Sequence, residues 1–168
     1  MARSFVATAS DSFQSMLREL GVTRTQVGDP ARLGRRAALV AVAEAAWGGH
    51  LGPLLQAKQV QELLGVDTRQ AVSDLRARRR LLALTKENGR VLYPAFQFGD
   101  SGRPFEALPQ ILMVFEDQAR VDPWTVASWF VTPQALLDDM APAEWLAKGE
   151  DRDRVVKAAR RSAARLGR

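Results

Sequence analysis

The sequence predicts a mainly α-helical fold carrying one small β-hairpin, and three observations lead to it. Apolar residues recur at three- and four-residue intervals along much of the chain, the pattern of helices that bury one face. Asn88-Gly89 separates two short apolar runs, Leu81 to Leu84 and Val91 to Tyr93, and marks a hairpin because both residues tolerate the left-handed backbone of a tight turn. Asp29-Pro30, Asp122-Pro123 and Thr132-Pro133 each set a capping side chain before a proline suited to the first helical turn.

In chain order, Met1 to Thr8 is expected to be mobile, and a helix capped by Ser10 or Asp11 to run to Leu20, with Phe13, Met16, Leu17 and Leu20 on one face. Gly21 ends it. A second helix from Asp29-Pro30 to Trp47 is alanine-rich, with Leu33, Ala37, Val40, Ala41 and Ala45 at helical spacing. Small residues there admit a close neighbour, either the core of the same chain or a second subunit. Gly48 to Pro53 breaks the chain.

Val60, Leu63 and Leu64 then give a third helix, which Gly65 stops, while Val66 plugs the turn and Asp67 and Thr68 cap the next start. The fourth helix turns Ala71, Val72 and Leu75 inward and Arg69, Gln70, Ser73, Asp74, Ala77 and Arg80 outward. The hairpin follows, with Lys86 and Arg90 at its tip, and Tyr93, Phe96 and Phe98 close a core beside it. Gly99 to Pro104 is a second break. Beyond it the pattern is helical only, over about 107–115, 123–130, 133–140, 144–147 and 152–165. The expected organisation is a helical segment at 1–50, a compact module at 51–98 and a helical domain at 104–168.

Composition narrows the function. With 46% hydrophobic residues in 168, the chain can bury a core. Cysteine is absent, which excludes disulfides and thiolate metal sites and fits a reducing cytoplasm. His50 alone cannot build a metal centre, Asp138-Asp139 is an acidic pair at a helix end, and no metal or cofactor is expected. The longest apolar run, near Ala37 to Trp47, is interrupted by Glu44 and falls short of the ~20 residues of a membrane span. No secretory signal is read at the start. No G-x-G-x-x-G, G-K-[ST] or G-x-S-x-G occurs, so a non-enzymatic role is expected. The net charge of +5 is unevenly spread: residues 57–98 hold 8 basic and 4 acidic side chains, 99–151 hold 3 and 10, and 152–168 hold 7 and 1. Such segregation suits at least two charge-distinct surfaces.

Two helices joined by a glycine turn, the second opening with polar and basic residues, can place a helix in a major groove, and a basic hairpin beyond it can meet phosphate. Candidate DNA contacts are Lys58, Thr68, Arg69, Gln70, Ser73, Arg76 and Arg80, with Lys86 and Arg90 from the hairpin. The stretch resembles the winged helix-turn-helix of excisionase-like and MerR-like regulators, whose pattern is E-V-A-x-L-L-G-V-S-x-x-T-V followed by a G-x-L-x-A wing. Val60, Leu63, Leu64, Gly65, Val66 and Val72 match it. Gln61 stands where that family has alanine, and Arg79 or Arg80 where it has glycine.

From Trp124 the order is an aromatic helix, Thr132-Pro133, Leu136-Leu137, Pro142, Trp145-Leu146, Gly149 and a last helix with Val155. The aromatics serve a tight core and an apolar partner groove equally well. This stretch of about forty residues resembles the carboxy-terminal domain of Xre, ParS and MbcA type antitoxins, patterned W-[FL]-x-[ST]-P-N with a later P-x-x-[WL]-[LV]-x-x-G. Gln134 replaces the asparagine. The resemblance implies a toxin-binding surface including Trp129, Pro133, Trp145, Arg160, Arg161 and Arg165. It also implies a RES-like, NAD-consuming toxin as partner, binding to double-stranded operator DNA as an autorepressor, and a homodimer. The basic last helix fits a toxin pocket, a further DNA contact or solvent. The alternative is a stand-alone winged-helix regulator or excisionase-like protein whose last helices only dimerise.

Overall fold

The computed structural model describes residues 5–19, 34 and 47–167. The chain separates into two compact units, Met1–Ala45 and Ala46–Arg168. In the first, helix α1 spans Phe5–Glu19. It starts ahead of the Ser10-Asp11 cap because Phe5 to Ala9 contains no helix breaker, and extending a helix is easier than starting one. The helix expected from Pro30, with its small-residue face, lies outside the described residues apart from Gly34 and Trp47.

The second unit is mainly helical with a small three-stranded antiparallel sheet. Strand β1 (Leu54–Gln56) leads directly into α2 (Ala57–Leu64), and α3 (Arg69–Ala77) follows. Strands β2 (Leu84–Thr85) and β3 (Val91–Pro94) form the hairpin, and a 3-10 turn covers Ala95–Gln97. Then come α4 (Leu108–Ala119), α5 (Pro123–Val131), a second 3-10 turn (Ala135–Leu137), α6 (Pro142–Ala147) and α7 (Arg152–Leu166). The strand order is β1-β3-β2, with Leu55 opposite Tyr93 and Leu84 opposite Leu92.

Four local expectations change in this unit. The break expected at Gly48 to Pro53 is helical up to Leu51 and opens only at Gly52. Only Leu84 of the run Leu81 to Leu84 enters a strand, because the side-chain amide of buried Gln97 takes both backbone groups of Leu82. The helix expected over 133–140 is a short turn closed by a Gln134–Met140 bridge. Asp138 and Asp139 have φ of 54° and 58°, and two successive left-handed residues cannot continue a right-handed helix. Thr132 accordingly ends α5 instead of capping a new helix, its hydroxyl donating to the Ser128 carbonyl at 2.7 Å.

Two buried clusters hold this unit together. Val60, Val72, Leu81, Ala83 and Tyr93 join α2 and α3 to the sheet. The larger cluster runs from Leu51, Leu82 and Leu84 into α4, α5, α6 and α7. Helices α4 and α7 lie side by side and point the same way. Arg152 pairs with Glu106 at one end, and at the other a Cβ added to Gly167 would come within 2.7 Å of the Gln118 carbonyl oxygen. Buried Ala158, Ala159 and Ala163 on α7 permit that closeness. The indole N–H of Trp124 donates to the Thr85 carbonyl at 3.2 Å, fastening α5 to the hairpin. Among the described residues no helix is long and apolar enough to cross a membrane.

Candidate functional site

Helix α2 ends at Gly65, whose φ of 66° suits glycine, and the Val66 amide returns to the Gln61 carbonyl at 3.0 Å. Thr68 restarts the chain, its hydroxyl accepting from the Ala71 amide at 3.2 Å. Val60 and Val72 are buried where the two helices cross, while Leu63, expected on the apolar face, is about half exposed. It lies against Gly102.

This geometry leaves Thr68, Arg69, Gln70, Ser73 and Arg76 exposed along α3, with Lys58 exposed on α2. Gln70 Nε2 donates to Asp74 Oδ1 at 2.8 Å, so part of its amide is already engaged. Arg80 is exposed but lies beyond the end of the helix, since α3 stops at Ala77 and the Arg80 amide returns to the Leu75 carbonyl at 2.8 Å. Burial raises the Tyr93 phenol above its ordinary pKa, and the positive charge of Arg76 pulls the other way.

At the hairpin tip Gly89 has φ of 78°, the Lys86 amide donates to the Arg90 carbonyl at 2.9 Å, and the Arg90 amide donates to Asn88 Oδ1 at 3.0 Å. Lys86 and Arg90 line a shallow hollow of about 590 Å³ with Gly52, Pro53 and Gln56. The cations of the hairpin therefore border one surface with the residues leading into β1 and with Gln56, the cap of α2.

In the last helices, Trp129 and Trp145 are 7% and 5% exposed, which places both rings in the core. Trp129 Nε1 donates to Ser162 Oγ at 3.0 Å, and its ring meets Phe115 and Phe130 edge-on, at 5.1 and 5.2 Å between centroids. Trp145 Nε1 donates to the Asp151 carbonyl at 2.9 Å under the Arg154 guanidinium, 4.7 Å above the ring. Pro133, Arg160, Arg161 and Arg165 are exposed. Arg165 also donates to Ser162 Oγ at 3.1 Å. Gln134, at the position where asparagine was expected, donates its side-chain amide to the Thr132 carbonyl at 2.9 Å and its backbone amide to Met140 at 3.1 Å. Arg154 holds both carboxylate oxygens of Asp138, at 3.0 and 3.1 Å, and this keeps the Asp138 carboxyl below its ordinary pKa.

No family model matches the chain, and no curated protein matches it. Among solved structures it is similar to the NMR structure of Rv2175c, with a TM-score of 0.56 and 26% identity over 66% of this chain and 81% of that one.

Several interactions escape sequence pattern. His50 Nε2 lies 2.8 Å from Ser128 Oγ and its ring rests near Trp47, but among the described residues no carboxylate orients it. Among those residues no group of three or more histidines, cysteines or carboxylates could hold a metal ion. Gln97, Arg79 and Ser162 carry long-range bonds to residues 15, 37 and 33 positions away. The expected site residues therefore separate into exposed polar residues on α2, on α3 and just beyond it, the hairpin cations Arg90 (exposed) and Lys86 (half-buried), exposed Pro133 and arginines of α7, and two buried tryptophans.

Proposed function

We propose that the chain is a DNA-binding regulator of the winged helix-turn-helix type, and that it acts as the antitoxin of a type II pair. The observation carrying the DNA half is the exposed face at the opening of α3, Thr68, Arg69, Gln70 and Ser73, with α2 and the hairpin packed on the same buried cluster and Lys86 and Arg90 at the hairpin tip. In this reading Arg69, Gln70 and Ser73 address base edges, while Lys58, Arg76, Arg80, Lys86 and Arg90 address phosphate. Resemblance over about forty residues supports the toxin half, and Pro133, Arg160, Arg161 and Arg165 are the expected contacts that remain on the surface. A RES-like toxin, a cytoplasmic setting and a homodimer belong to this proposal. The burial of Trp129 and Trp145 favours a second reading, a stand-alone regulator whose last helices complete its own core.

The test uses the whole chain. A duplex selected by the protein from a random pool is labelled and titrated by fluorescence anisotropy. Arg69→Ala is expected to weaken binding in a sequence-dependent way, by about 1–3 kcal/mol for a bidentate base contact. Arg90→Ala should weaken it on every sequence and reduce the salt slope by about one. If no duplex is enriched and neither substitution changes binding, the DNA assignment fails. Copurification with the product of an adjacent gene, and inhibition of its NAD consumption, decides between antitoxin and stand-alone regulator.

A further inference from the structure

Helices α2 and α3 end in the same hydrogen-bonding motif with different residues at its left-handed position. After α2 that residue is Gly65, with φ of 66°. After α3 it is Arg79, with φ of 58°, its amide bonding the Arg76 carbonyl at 2.9 Å and the next amide reaching Leu75. An L side chain with a Cβ is disfavoured there, and glycine is the ordinary solution. A strained residue that persists is held by its surroundings. Its side chain reaches Glu116 on α4, whose Oε2 accepts from Arg79 Nε at 2.5 Å.

The pair does not lie on a packed surface. Arg79 and Glu116 both border a cleft of about 210 Å³ floored by Leu82, Leu112, Phe115 and Val126, where the end of α3 faces α4. Both partners are about half exposed. Arg76, Arg78 and Arg80 crowd the same end of α3. Of these four arginines, Arg79 alone makes an ion pair among the described residues.

We propose that Arg79 is a positioning residue, not a phosphate contact: through Glu116 it braces the end of the DNA-reading helix against α4. This rests on the DNA-binding reading above. Neutralising Glu116 makes the protein more positive, so electrostatics alone predicts tighter DNA binding, whereas loss of a brace predicts weaker binding.

On the duplex selected by the wild-type protein, Glu116→Gln is expected to bind about threefold more weakly, the size a half-exposed ion pair can supply. The charge swap Arg79→Glu with Glu116→Arg is expected to recover most of that loss, and Arg79→Glu alone is not. Without DNA, the amides of residues 76–80 should exchange with solvent faster in Glu116→Gln than in wild type, while those of α4 stay as they were. Unchanged or tighter binding by Glu116→Gln, or unchanged exchange at 76–80, overturns the proposal. Should Arg69→Ala and Arg90→Ala leave binding to the same duplex unaltered, the DNA reading fails first and this inference with it. If those two weaken binding and Glu116→Gln does not, only the brace is wrong.

Discussion

Replacing Gln97 by methionine tests the least conspicuous support of the hairpin. Gln97 is fully buried, Oε1 accepting from the Leu82 amide at 2.7 Å and Nε2 donating to the carbonyls of Leu82 at 3.0 Å and Pro94 at 2.9 Å. The amide thereby stands in for the strand that Leu82 lacks. Methionine keeps the length and adds no strain, but it leaves the N–H and C=O of buried Leu82 and the carbonyl of Pro94 without these partners. Each orphaned buried group costs about 1–3 kcal/mol, so taking about 1 for each of the three gives roughly 3 kcal/mol. That is a large part of the 5–15 kcal/mol typical of a domain. In urea unfolding the midpoint should fall with the slope unchanged, and the melting temperature should drop by about 6–12 °C. A loss below about 1 kcal/mol would show that Leu82 finds other partners and that Gln97 is only filler.

Trp129→Phe removes the indole N–H from Ser162 while keeping an aromatic ring in the core, so a loss of about 1–2 kcal/mol in unfolding stability is expected. Binding of DNA or of a protein partner should be unaltered in the folded variant, because the ring is buried; a selective loss of partner binding would return Trp129 to the surface role. Asp138→Asn tests the Arg154 clamp through pH. The folded carboxyl is held low by Arg154, so its contribution is present above the unfolded pKa and is lost as pH falls through the folded value. The advantage of wild type over the variant in thermal unfolding should be steady at neutral pH and close below the ordinary carboxylate range. A gap that persists at the acid end would refute the clamp.

What could be seen in the sequence was what neighbours along the chain decide. Gly65 and Thr68 act on amides within four residues, so the stop of α2 and the start of α3 were legible, as was the Asn88-Gly89 turn. Asp122-Pro123 worked for the same reason, its carboxylate capping the Trp124 amide at 3.0 Å. Thr132-Pro133 shows the same letters in a different setting, where the hydroxyl turns back to Ser128 and closes a helix. Strand β1 was invisible because three residues have no readable period and its partner lies across the module at Leu92 to Pro94. Whether Trp129 and Trp145 line a groove or a core depends on Ser162 and on the Asp151 carbonyl meeting their N–H groups, which spacing cannot reveal. The brace was half visible: a non-glycine at Arg79 was a departure in the pattern, but Glu116 lies 37 residues away.

The break at Gly99 to Pro104 invites cutting the chain there, and the packing argues against it. Leu82 and Leu84, beside and within the hairpin, are buried in the same cluster as Leu108, Phe115 and Phe130. Thr85 bonds Trp124, Phe96 stacks on Phe130 at 5.4 Å, and Arg79 reaches Glu116. A fragment ending at Gly102 would open all of these to water. Leu82 and Leu84 alone, at about 1.5–3 kcal/mol for each buried side chain, would forfeit most of the margin of a small module. Such a fragment should bind a hydrophobic dye and unfold without a sharp transition, while residues 46–168 unfold cooperatively. A sharp two-state transition in the short fragment would mean that the cluster of Val60, Val72, Leu81, Ala83 and Tyr93 suffices by itself. If the expected result is found, a partner that displaces α4 or α5 acts on the hairpin and on the end of α3 directly, through contacts already in place.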